Sequence, residues 1–123
     1  MLRARTPADR RASGQAFEAR AEALLSRHGL TPVCRNWQCR FGEIDLVMHD
    51  GATLVFVEVR QRDRSRFGAA AASIGNAKRE RLRRAISMYL GALAHTPPCR
   101  VDAVLFDGDS APEWLRDVLG ERD

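Results

Sequence analysis

Apolar positions in this chain recur at helical spacing in two stretches and alternate with polar ones in several others. Phe17, Ala21, Leu24, Leu25 and His28 lie three or four residues apart. That spacing predicts a helix from about Ser13 to His28, with Ser13 as N-cap and Gly29 as the stop. Thr31 and Pro32 open an extended segment running through Val33 to Trp37, a candidate edge strand. GEIDLVM (42–48) and TLVFVEVR (53–60) read as strands, and the Asp50-Gly51 pair between them is a hairpin signal. QRDRSRFGAAAASIG reads as a loop with room for a helical turn in its Ala run. A second helix is expected over about Asn76–Leu93, with Leu82, Ala85, Ile86, Tyr89, Leu90 and Leu93 on one face. Lys78, Arg79, Arg81 and Arg83 fall on its other faces, and Pro97-Pro98 forbids continuation. RVDAVLF (100–106) is a further strand, followed by an Asp107-Gly108 turn. Glu113–Leu119 suits a short strand or a helical turn equally. Strand, helix and strand in succession form a crossover of parallel type, so the expected fold is α/β, a mixed sheet flanked by helices.

The hairpin carries more than a core pattern. Centred on Asp50-Gly51, Met48 faces Thr53, Leu46 faces Val55 and Ile44 faces Val57, with Val59 continuing that apolar face. The other face holds Glu43, Asp45 and Val47 across from Glu58, Phe56 and Leu54, with Arg60 beyond. A slip of one residue would bury some of the acids in the core, so the pattern selects this parity. Glu43 then opposes Glu58, and Asp45 is its diagonal neighbour at about 7–8 Å between backbones. Carboxylates gathered on one face repel unless something positive sits among them. Arg60 can supply one charge. A divalent cation is the other solution, and Mg²⁺ favours one or two carboxylates with water and substrate phosphate. Glu18, one residue from Phe17 and three from Ala21, borders the buried stripe of the first helix.

Composition narrows the class. The 123 residues, 45% of them hydrophobic, suit one domain over 13–123 behind a flexible, Arg-rich N-terminal arm over 1–12. No apolar run approaches the roughly 20 residues that span a bilayer, and the basic N-terminus lacks a signal-peptide core, so a cytoplasmic protein with no membrane partner is expected. Cys34, Cys39 and Cys99 match neither a disulfide framework nor a zinc motif, and read as reduced thiols. The net charge of +4 is unevenly spread. Residues 60–84 hold nine basic and two acidic side chains, whereas 85–123 hold three basic and seven acidic. A basic segment starting at Arg60, beside the odd carboxylates, fits a phosphate-binding footprint and a solvated face about equally.

Asp45, twelve intervening residues and Glu58-Val59-Arg60 resemble the D-(x)n-(D/E)-x-K signature of restriction-endonuclease-like proteins. The blocks GQAFEARAEALLSRHGL, RNWQCRFGEIDLVMHDGATLVFVEVRQR, RFGAAAASIGNAKRERLRRAISMYL and CRVDAVLFD look like those of the YraN-like family. These small bacterial proteins are regarded as predicted endonucleases, similar in fold to archaeal Holliday-junction resolvases. The likeness runs from about Gly14 to Asp107 and implies a restriction-endonuclease-like core. It implies that Asp45 and Glu58 hold a Mg²⁺ or Mn²⁺ ion, with the Val59 carbonyl as an added ligand and Glu18 reaching the same site. Glu43 matches the GEID block without an assigned role. Resolvase relatives work as dimers, so a homodimer is an expectation of the likeness, although no surface in the sequence fixes one.

The departure is Arg60, where the signature calls for Lys. Arg keeps the charge but differs in shape and cannot act as a neutral base. Arg60 could clamp phosphate, or Lys78 could supply an ammonium from the second helix. The leading expectation is a metal-dependent nuclease acting on DNA, branched or single-stranded forms included. Asp45, Glu58, Arg60, Glu18 and Lys78 would be its catalytic set, with Arg62, Arg64, Arg66, Arg79 and Arg83 gripping backbone phosphates. The alternatives are a nucleic-acid-binding module that kept the fold without efficient chemistry, and a structural or protein-interaction domain whose carboxylates are merely salt-bridged.

Overall fold

A computed structural model describes residues 7–62 and 75–120, with 7–13 and 62 described by their backbone. The elements run α1 (Pro7–Arg27), β1 (Thr31–Cys39), β2 (Gly42–Asp50), β3 (Thr53–Arg62), α2 (Asn76–Gly91), β4 (Cys99–Asp107) and β5 (Glu113–Leu115). The strands form one sheet in the order β1-β2-β3-β4-β5. β3 and β4 pair in parallel across the α2 crossover, and every other neighbouring pair is antiparallel. The fold is therefore a mixed α/β sheet between two helices, consistent with a restriction-endonuclease-like core. No helix among the described residues is long and apolar enough to cross a membrane.

Each sheet face buries its own core. On one side Ala21 and Leu25 of α1 meet Leu46, Met48, Val55, Val57, Val104 and Phe106. On the other, Leu82, Ala85 and Ile86 of α2 meet Val47, Leu54, Phe56 and Val101, with Trp37 and Tyr89 partly buried against them. The Tyr89 ring meets those of Trp37 and Phe56 edge-on, at 5.2 and 5.4 Å between centroids. This is the packing that aromatic quadrupoles favour.

Helix α1 begins six residues before the expected start. Pro7 fits a first helical turn, where its missing N–H would be unpaired in any case. Ser13 is thus inside the helix rather than its cap. The stop does fall at Gly29, whose φ of 95° suits glycine. The Leu30 N–H returns to the Leu25 carbonyl and that of Gly29 to Ser26, a Schellman closure that buries Leu30 beside Leu25. His28 was expected in the apolar stripe but is exposed. It bonds the Leu24 carbonyl and meets Trp114 edge-on. Leu93 likewise lies beyond the end of α2 and is exposed.

The hairpin register is two residues tighter than expected. Leu46 pairs with Val57, Met48 with Val55 and Asp50 with Thr53, leaving Gly51-Ala52 as the turn. Gly51, at a φ of 63°, supplies the left-handed residue that a two-residue hairpin needs. The shift is even, so facing is preserved, but Glu43 no longer opposes Glu58. The register instead runs toward Asp45 beside Glu58, and the ladder stops short of that pair at Leu46–Val57.

Strict alternation also breaks at this point. Ile44, expected on the face of Leu46, belongs to the α2-side core, while Leu46 belongs to the α1 side. In β1, Trp37 pairs with Ile44 and Arg35 with Leu46. Between them Asn36 has a φ of 55°, a left-handed conformation that Asn tolerates better than most residues. The twofold pattern is interrupted in both strands at the level of Asn36 and Asp45.

Beyond β4, the tail is a short strand. Asp102, fully buried, accepts hydrogen bonds from the Arg100 guanidinium, the Trp114 indole N–H and the backbone N–H of Asp117. Arg100 also reaches Asp50 at 3.0 Å, tying the β2–β3 turn to β4.

Candidate functional site

The interruption at Asp45 creates the site. Because β2 leaves the β3 ladder after Leu46, the Val59 N–H lacks a β2 carbonyl, and Asp45 Oδ2 accepts it at 2.9 Å. Glu18 approaches from α1 and Glu43 from the start of β2. Carboxylate oxygens of Glu18, Glu43 and Asp45 all lie within 4.8 Å of one another. Glu58 points to the α2 side and is only 4% exposed. Lys78 of α2 covers it, with Nζ 2.7 Å from Oε2, and Arg60 Nε stands 3.9 Å from the same oxygen.

Two of these acids, Asp45 and Glu18, have their proton affinity raised. Burial pushes the Asp45 carboxyl up to about 8, reinforced by Glu58, Glu18 and Glu43 and opposed by the Val59 N–H. Burial also raises Glu18, and a hydrogen bond with the Asn36 side chain opposes that rise. Glu18 Oε1 is buried with no hydrogen-bond partner. A cavity of about 370 Å³ opens against this group, lined by Glu43, Asp45, Glu58, Val59, Lys78 and Arg81 together with Phe41, Gly42 and Leu82.

Asp45, Glu58, Glu18, Arg60 and Lys78 are thus brought together, and Val59 takes part through its N–H. Arg79 is not among them. It lies one position round the helix from Lys78, and its Nη2 donates to the Val118 carbonyl at 3.2 Å. One nitrogen of its guanidinium thus reaches the tail. Arg83 is exposed along α2, away from the acidic cavity. Arg64 and Arg66 lie outside the described residues, as does the side chain of Arg62.

Glu43, read on the acidic hairpin face without an assigned role, joins Glu18 and Asp45 in the carboxylate cluster. Three further contributors escaped the sequence reading. Arg81, three residues after Lys78, shares the helix face that lines the cavity. Phe41 forms the cavity wall from the β1–β2 turn. Asn36 holds Glu18 and makes the β1 irregularity. Only Arg81 had a usable signal, its i+3 spacing from Lys78.

The model of the Uncharacterised protein family UPF0102 matches residues 17–106, a span from the first-helix glutamate to the end of β4. The chain belongs to this family, the YraN-like one. A UPF0102 protein of Janthinobacterium sp. (strain Marseille) is 48% identical over 118 residues, covering 96% of this chain and 94% of that one. One of Nitrosospira multiformis is 50% identical over 111 residues, covering 89% and 93%. One of Cupriavidus taiwanensis is 55% identical over 109 residues, covering 87% and 82%. The family span therefore contains the whole acidic site.

Proposed function

We propose that this UPF0102 protein is a metal-dependent nuclease acting on DNA, with its centre at the Glu18–Glu43–Asp45 cluster and Glu58 beside it. The observation that carries the reading is the gathering of Glu18, Glu43 and Asp45 carboxylate oxygens within 4.8 Å of one another, beside a Glu18 Oε1 that is buried without a hydrogen-bond partner. A buried acceptor is normally satisfied, and a cluster of acids normally contains a positive charge. Hard oxygen donors suit Mg²⁺ or Mn²⁺. Glu18, Glu43 and Asp45 would hold such an ion through the oxygens that lie within 4.8 Å of one another. Such an ion would lower the pKa of a bound water and polarise a phosphodiester.

The chain's own residues define what surrounds the phosphate. The Val59 N–H fixes Asp45 by one oxygen and leaves the other for the centre. Glu58 holds Lys78 Nζ at the cavity wall, where an entering phosphoryl group meets an ammonium. Lys78 thereby supplies from α2 the charge that the signature places at position 60. Fixed positive charge at a developing phosphorane contributes through electrostatic stabilisation. Arg60 assists as a phosphate clamp.

The test is cleavage of linear, branched and single-stranded DNA with Mg²⁺ and with Mn²⁺, alongside calorimetric metal titration. Asp45→Ala is expected to abolish both cleavage and the metal-binding heat. No cleavage sensitive to Asp45→Ala on any of these substrates would defeat the nuclease reading. The second reading, a nucleic-acid-binding module without efficient chemistry, draws on Arg60 standing where Lys belongs. It predicts salt-dependent binding without cleavage, and activity gained by Arg60→Lys.

A further inference from the structure

Phe41 is shared by two cavities. One is the acidic cavity described above. The other is a groove of about 510 Å³ along α2, lined by Phe41, Glu80, Arg83, Arg84, Ser87 and Met88. Met88 is 40% exposed, one of three large hydrophobic side chains so exposed among the described residues. The guanidinium carbons of Arg40 and Arg84 lie 4.9 and 5.8 Å from the Phe41 ring centroid. Arg84 pairs there with Glu80, in an i,i+4 pair whose side chains are both more than half exposed. Such pairs are weak and exchange readily for a better anion.

These features fit one kind of ligand. The Phe41 ring, with the Arg40 and Arg84 guanidinium groups over it and an exposed Met beside it, offers aromatic and guanidinium surfaces on which a flat group can stack. Arg40, Arg83 and Arg84 bring positive charge to that groove, and Arg81 continues it to the acidic cavity. A nucleobase attached to its phosphates has both properties, and ring stacking next to guanidinium groups is how single strands are held without sequence readout. A paired base cannot enter, because both of its faces are buried in the duplex stack.

We infer that the Phe41–Met88 groove binds an unpaired nucleobase and so selects nucleic acid in which a single-stranded nucleotide adjoins the phosphate in the acidic cavity. The inference rests on the nuclease reading for the fate of that phosphate but not for the binding itself. The substrate class is accordingly a single strand, flap or branch in place of uninterrupted duplex.

The test is fluorescence-anisotropy binding of labelled single-stranded DNA and of a blunt duplex of the same sequence, in chelator, where cleavage plays no part. Wild type is expected to prefer the single strand. Phe41→Ala should weaken single-strand binding by about tenfold, with the duplex changed less than about twofold, and Phe41→Trp should restore it. Met88→Asp should act like Phe41→Ala, which guards against a folding defect confined to the β1–β2 turn. Equal affinity of wild type and Phe41→Ala for single strands, or equal losses on both DNAs, overturns the proposal. A dimer in sedimentation that Met88→Asp dissociates, with DNA affinity unchanged, overturns it by assigning the groove to a second copy of the chain. Failure of the nuclease reading looks different, since groove-dependent binding would then persist without cleavage.

Discussion

Asp45 accepts the Val59 N–H while Glu18, Glu43 and Glu58 crowd it, and burial lifts its carboxyl to about 8. In an unfolded chain the same group titrates near 3.9. Between those values the folded protein holds a proton that the unfolded chain has released. This group's contribution to stability is therefore greatest below about pH 4, falls as the pH rises, and reaches its floor above about 8. On the proposed reading, a bound divalent cation would replace the proton and oppose the fall. In chelator, the thermal midpoint of wild type should drop between about pH 6 and 8 more steeply than that of Asp45→Asn, and Mg²⁺ should flatten the wild-type profile. Parallel profiles for the two proteins, unaffected by Mg²⁺, would contradict the assignment. At this scale the sequence was a good guide to which side chains the fold brings together. The roles were less legible, because Glu43 and Glu58 differ in what approaches them from other elements: Glu43 joins Glu18, whereas Glu58 takes Lys78.

At the scale of elements, β1 and β2 matter most through their shared irregularity. Asn36 in the left-handed region lets Trp37 and Arg35 serve opposite sheet faces, and it holds Glu18 by its side chain. A β-branched residue cannot adopt that conformation cheaply. Asn36→Val should destabilise the fold by about 1–3 kcal/mol in urea titrations. Asn36→Gly should cost less in stability but weaken metal binding, since Glu18 loses its partner. If both substitutions cost the same, backbone strain is not the cause. Period-two reading placed Ile44 with Leu46 because alternation contains no term for such a break. Hairpin facing survived, since parity follows from the hydrophobic pattern, while the exact pairing depended on which residues made the turn. Helix α2 was legible from its 3.6-residue period, and the start of α1 was not, since nothing in the polar residues 7–13 marks a buried face.

Across the whole molecule, Asp102 joins the tail to the sheet. Its carboxylate holds Arg100, Trp114 and the Asp117 N–H, and Arg100 continues to Asp50 at the hairpin turn. Removing one partner from such a buried set leaves charge and donors uncompensated. Asp102→Ala should destabilise the protein by about 3–5 kcal/mol and shift the tryptophan emission as Trp114 loses its partner. An effect below about 1 kcal/mol would show that the tail contributes little to folding. The sequence reading placed RVDAVLF as a strand without a partner for its central acid, because that partner comes from residues 12 and 15 positions later. Such long-range pairing has no periodic signature.

The sequence by itself determined the α/β class, the hairpin with its two unlike faces, the amphipathic helix α2 and the company of Asp45, Glu58 and Glu18. All but one of those features follow from local periodicity and from motif spacing, which a chain carries wherever it folds; the place of Glu18 beside Asp45 was implied by the family resemblance alone. Tertiary structure alone decided that β2 parts from β3 at Asp45, and that Glu43 rather than Glu58 completes the carboxylate cluster. It also decided that Lys78 covers Glu58, and that Arg79 turns to the tail while Arg81 turns to the cavity. The physical reason is common to all of these. Each depends on where one element's side chains meet another's, and that contact is set by packing between faces instead of by the order of residues along either one.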